Sequence, residues 1–112
     1  MGTNYYFVKT EPTVYEPVHI GKSSYGWKFL FHAYGYWETP YNVELRSFDQ
    51  WKQFLIDYTA DKSMVIMDEY NQVVDVDTFL GIVEFHQRSH NPNDFKYDHN
   101  IHGYRFTEGD FC

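Results

Sequence analysis

Apolar residues change their spacing along this chain. In the first third they fall largely in short extended runs, and after position 47 they recur at helical intervals around one apolar stretch. "NYYFVK" (4–9) is short and rich in β-formers. It is followed by "TEPTVYEP", where Pro12 and Pro17 each bias the preceding residue towards extended geometry and mark a loop or edge excursion. "VHIGK" (18–22) and "WKFLFHAY" (27–34) predict two strands joined by "SSYG", whose small residues and glycine suit a hairpin loop. In the second of these strands Trp27, Phe29, Phe31 and Ala33 share one face, with Lys28, Leu30, His32 and Tyr34 on the other. That second face is mixed, which predicts a sheet covered on one side and partly wet on the other.

Residues 35–46 read as a loop carrying Pro40, and a helix follows. Ser47 stands at its N-cap with Gln50 three residues on, the pattern of a capping box. Phe48, Trp51, Phe54, Leu55 and Tyr58 form the apolar stripe, opposite Lys52, Gln53 and Asp57. "SMVIMDEY" (63–70) is an apolar run ending in acids, consistent with a buried strand, and "EYNQ" reads as a turn. Val73 and Val74 lead into a second helix over 77–87, capped by Asp75 or Asp77, with Val76, Phe79, Leu80 and Val83 as its stripe. Residues 88–100 carry loop chemistry, and a last short strand is expected at 104–106. The order predicts a single domain over 1–112 of the α+β class, with a mostly antiparallel sheet and two helices packed on one face.

Composition adds to this picture in three ways. Aromatic residues reach 21%, with eleven Tyr, ten Phe and three Trp, enough to fill a small core and also to furnish a binding surface. The net charge of −7 opposes general nucleic-acid binding, which needs a basic footprint, while leaving a basic protein surface open as a partner. The single cysteine, Cys112, rules out an internal disulfide or a Cys-based zinc site within one chain. No apolar run has membrane-spanning length and no signal peptide is evident, so a soluble protein of a reducing cytoplasm is expected.

Gly21-Lys22-Ser23-Ser24 is the first candidate for chemistry. A phosphate-cradling P-loop needs a glycine five positions before Gly21 and a helix after the serines; Glu16 occupies that position, and the following residues read as strand. A glycine-flanked turn with a lysine and two hydroxyls can still hold an anion, and it can equally be a solvated turn. His86 and His90 stand four apart, and His99 and His102 follow, so that these four, with Asp94 or Asp98, are candidate metal ligands. The adjacent acids of "MDEY" point to opposite faces of a strand and suit a turn. No nucleophile–base order or zinc-protease motif is present, and nothing in the sequence demands catalysis or a cofactor.

"MGTNYY", "HIGKSSYGWKF" (19–29), a Trp-containing helix, "DEY" before a second helix and a closing "GYRFTEGDFC" together resemble a family of small uncharacterised bacteriophage and prophage proteins. Many relatives carry a small cysteine motif between the first two segments, and a cysteine at the position of Lys28. The resemblance implies a zinc site in those relatives; this chain has "TEPTVYEP" and Lys28 there, so the site is not carried over. The resemblance implies phage origin, action in the bacterial host cytoplasm, and a role in host takeover or counter-defence. Such a role can be filled by sequestering a nucleotide immune signal or by blocking a host protein.

These readings combine into the expectation of a non-enzymatic binding protein that captures a phosphate-bearing nucleotide within a small homo-oligomer. Lys22, Ser23 and Ser24 would meet the phosphate, Trp27 with Tyr25 or Tyr70 would stack on the base, and His19 and Arg105 are further candidates. Two other classes stay open: a protein–protein inhibitor of a host defence enzyme or nuclease, and a metal-dependent hydrolase using the C-terminal histidines.

Overall fold

The structure is a computed structural model and describes residues 2–10, 17–24, 28–39, 41–60, 63–87, 99–101 and 104–107, the description of 99–101 and 105 extending to the backbone only. Its strands are β1 (Gly2–Lys9), β2 (Val18–Ser24), β3 (Leu30–His32), β4 (Met64–Asp68), β5 (Val73–Val74), β6 (His99–Ile101) and β7 (Tyr104–Thr107). The helices are α1 (Phe48–Ala60) and α2 (Val76–Gln87). The strands form one sheet in the order β5-β4-β1-β2-β3-β7-β6, antiparallel throughout except where β3 and β7 run parallel. The fold is α+β with a mostly antiparallel sheet, as the periodicity predicts.

Alternation along the strands decides where the core lies. On β1, Tyr5 and Phe7 point inward; Phe7 lies opposite Ile66 of β4, and Phe31 of β3 opposite Phe106 of β7. Both helices cover this face. Phe54 of α1 meets Phe7 edge-on at 5.2 Å, and Phe79 of α2 meets Tyr5 and Phe29 edge-on, each at 5.4 Å. Burial in this aromatic layer pushes the Tyr5 hydroxyl above its ordinary pKa.

The helix starts follow their caps. The Ser47 hydroxyl accepts the Gln50 amide at 3.2 Å. The Gln50 side chain reaches back one residue further than a capping box requires and accepts the Arg46 amide at 2.7 Å. Of the two possible caps for α2, Asp75 serves. Its carboxylate accepts the Thr78 amide at 3.0 Å, and hydrogen bonds from Thr78 hold its pKa below the ordinary carboxylate value.

Four local features depart from the sequence reading. β2 runs on through Ser23 and Ser24, paired with Thr3 and Gly2, so the serines are strand rather than hairpin loop. The second face of β3 is drier than its mixed residues predict, because Leu30 and His32 are both 7% exposed. Val73 and Val74 form an edge strand rather than a lead-in: Asp68 caps the turn by accepting the Tyr70 and Gln72 amides, and Asn71 takes φ 63 to close it. His99–Ile101, within the predicted loop, pairs as β6 with β7.

Gly81 lies on the exposed side of α2, and a methyl group there would meet nothing within 4 Å. Gly81→Ala therefore keeps every contact and gains helix propensity of about 1 kcal/mol. A melting temperature raised by about 3–5 °C in a thermal scan is the expected result.

Candidate functional site

The face of the sheet turned away from the helices holds several of the candidate residues, and an irregularity in β2 puts them on the same side. Regular alternation would place His19 and Lys22, three residues apart, on opposite faces. The register between β1 and β2 shifts at Tyr5/Tyr6: Tyr6 lies opposite His19, whereas Tyr5 lies opposite Gly21 and Asn4 opposite Lys22. Ile20 and Gly21 are thus both turned into the core, and His19 and Lys22 both emerge on the helix-free face.

A line of rings crosses that face. His19 stacks on Tyr6 with ring centroids 5.0 Å apart, His32 lies 5.9 Å from His19, and Tyr34 stacks on His32 at 4.2 Å. The Tyr34 hydroxyl donates to the His19 carbonyl at 3.1 Å, tying the segment after β3 back to β2. Trp51 holds the same strand from the core side, its indole N–H donating to the His32 carbonyl at 2.9 Å.

The hydrogen bonds fix the imidazole tautomers. Asn4 donates its amide Nδ2 to Glu69 Oε1 at 3.3 Å, so its Oδ1 is the acceptor for His19 Nε2 at 2.9 Å. Neutral His19 therefore carries its proton on Nε2, assigned from the network. Glu69 also accepts the Asn4 backbone N–H at 2.7 Å, completing a carboxylate–amide–imidazole chain. His32 Nδ1 lies 3.1 Å from the Ala33 carbonyl, which can only accept, so Nδ1 carries the proton there.

Of the residues expected to bind phosphate, the fold brings together His19, Lys22 and Ser24. Lys22 Cε and Ser24 Oγ both lie over the bare Cα of Gly2, where a Cβ would collide with each of them. Ser23 does not join them. It is 8% exposed, paired on the core side, and its hydroxyl bonds with that of Tyr5. Successive N–H groups of a strand also point to alternate sides, so "GKSS" forms no concave anion nest, and any phosphate must be held by side chains.

Arg105 occupies the register position beside Leu30, in the row that runs Asn4, Lys22, Leu30, Arg105 across the sheet. Tyr70 is 65% exposed in the β4–β5 turn, next to the Glu69 that reaches Asn4. Tyr25 and Trp27 lie outside the described residues. Of the candidate metal ligands His86 lies in the last turn of α2, His90, Asp94, Asp98 and His102 lie outside the described residues, and His99 is placed by its backbone alone. Among the described residues, no group of three or more His, Cys, Asp or Glu is placed to hold a metal ion.

Sequence reasoning missed four partners on this face, Asn4, Tyr6, His32 and Tyr34. The alternation of "NYYFVK" and "WKFLFHAY" carried the signal for them once one face had been given to the core. It also missed Trp37, which is 83% exposed in the loop after Tyr34. That loop is braced: the Tyr34–Leu45 bridge closes its neck, the Glu38 carboxylate accepts the Gly35 amide, and Tyr36 packs edge-on against Trp37 at 4.7 Å.

Among the described residues no helix is long and apolar enough to cross a membrane. Comparison of the chain with protein-family models, with curated proteins and with solved structures finds no match.

Proposed function

We propose that this chain is a binding protein that captures a phosphate-bearing nucleotide on the helix-free face of its sheet. In the setting implied by the resemblance of its sequence, it would be a phage accessory protein that removes a host immune signal. The observation that supports the reading is that Lys22 and Ser24 lie together over Gly2 on the same face of the sheet as the ring line Tyr6, His19, His32 and Tyr34. The partly exposed rings of this line, Tyr6, His19 and Tyr34, offer π-faces to a base, at about 1–3 kcal/mol per stacked base. A lysine and a hydroxyl a few residues away supply the charge and donors that a phosphate needs.

Isothermal titration of the full chain against cyclic dinucleotides and ADP-ribose derivatives tests this. Binding by at least one of them is expected, and Lys22→Ala should weaken it about 10–100-fold, the cost of a lost hydrogen bond to a charged group. Tyr6→Ala should weaken it by a similar factor through lost stacking. An absence of binding across the panel removes the proposal.

One observation favours a second reading, the inhibitor of a host protein. A tryptophan held exposed on a braced loop is pre-organised to anchor a protein interface, and the chain's charge of −7 suits a basic partner. Trp37→Ala separates the two: it should leave nucleotide titrations unchanged under the first reading and abolish a stoichiometric protein complex under the second.

A further inference from the structure

On the other side of the sheet, at its β5 end, a cleft of about 450 Å³ opens between the end of α1 and the start of α2. We propose that this cleft is a second binding site, for a small organic cation: an amine carried on a short apolar body. Its described walls are aliphatic, with Met64 and Ile66 from β4, Val74 from β5 and Val76 from α2, and among the described residues no ring lines it. A chain of a few methylene groups fits such walls without meeting a buried polar atom.

The polar groups at the cleft decide the ligand's head. Thr59 spends its hydroxyl proton on the Leu55 carbonyl at 2.7 Å, and Thr10 spends its own on the Ser63 carbonyl at 3.0 Å. A hydroxyl whose proton is spent in this way can meet an occupant only as an acceptor. The remaining polar side chains among the described lining residues are two carboxylates. Asp75 uses Oδ1 to cap α2, while Asp77 stands exposed in the first turn. Among the described lining residues there is no cationic side chain, and no side-chain donor has its proton available. The last turn of α1, where Thr59 lies, has no basic residue to offset its partial negative charge. The side chains described at the cleft thus favour a ligand that donates, and the two carboxylates that flank the first turn of α2 favour one that is positive. A carboxylate or phosphate would meet two like charges, and a neutral alcohol would leave them unmatched.

The reading is independent of nucleotide capture, since the cleft lies on the helix-bearing side of the sheet. The experiment is a titration of the full ¹⁵N-labelled chain followed by ¹H–¹⁵N correlation spectra, with n-hexylamine, n-hexanol and hexanoate as probes at neutral pH. Hexylammonium should give saturable shifts confined to the amides of 73–77 and of the strand and helix ends facing them, at concentrations at least tenfold below those for hexanol. Hexanoate should give none. Asp77→Asn, a substitution at an exposed position, should weaken hexylammonium at least fivefold. Asp75→Asn keeps a capping side chain, and should weaken it too while α2 keeps its spectrum. Equal binding of alcohol and amine, or an unchanged Asp77→Asn variant, overturns the cationic assignment. If none of the three probes gives a saturable shift, the site itself is overturned.

Discussion

Trp51→Ala is expected to lower the stability of the fold by about 3–5 kcal/mol, a large share of the roughly 5–15 kcal/mol that holds a domain of this size together. The side chain is fully buried and lies 6.5 Å from Phe31, 6.1 Å from Tyr34 and 6.0 Å from Phe54, centroid to centroid. Truncation removes the ring from a layer of other rigid rings, which cannot collapse into the space. It also removes the donor to the His32 carbonyl, leaving a buried acceptor without that partner. Trp51→Phe separates these contributions, because it keeps much of the apolar volume and loses only the N–H; a cost of about 1–3 kcal/mol is expected. Urea unfolding followed by circular dichroism reads both. A loss below about 1 kcal/mol for Trp51→Ala would show that α1 does not depend on this anchor.

The same residue marks where the sequence was informative. α1 was legible because Ser47, Gln50 and the stripe from Phe48 to Tyr58 all point to one start and one face, and local signals that agree leave little for tertiary structure to override. The cap of α2 was legible only as Asp75 or Asp77, because both are capping residues two positions apart, and the Thr78 amide decides for Asp75. β5 and β6, with two and three residues, are too short to show a period, and only their partners across the ladder define them. Trp37 was hidden by composition: with 21% aromatics, nothing in the local sequence tells a ring in the core from one presented to solvent.

The candidate site was half legible. His19, Lys22 and Ser24 were named from one segment, but their faces depend on the shift in register at Tyr5/Tyr6, a property of two strands and not of one. Strand alternation applied to "VHIGKSS" alone turns Lys22 away from His19. The ring line across β1, β2 and β3 exists only once three separate segments lie side by side.

Gly21→Ala is expected to destabilise the protein by about 3 kcal/mol, at the upper end of what overpacking a core costs. Gly21 faces the core between Tyr5 of β1 and Phe31 of β3. A Cβ placed there would fall against the Leu30 carbonyl oxygen and the Phe29 ring, closer than real Cβ atoms come. Phe29 is fully buried and packs on Tyr5, Phe31 and Phe79, so it has nowhere to turn; the Leu30 oxygen is backbone and moves only with the strand. The methyl group can be admitted only by parting β2 from β3 or by undoing the shift that brings His19 and Lys22 to one face. Denaturant unfolding measures the first effect, and nucleotide titration of the fraction still folded measures the second. The comparison with Gly81→Ala is the sharpest control, because the same chemical change in the same protein is expected to have the opposite sign. The glycine of "GKSS" thus owes its place to the rings packed over it. If Gly21→Ala proves as stable as the unmodified chain, the packing of β2 against β3 is looser than described, and the placement of Lys22 beside His19 loses its support.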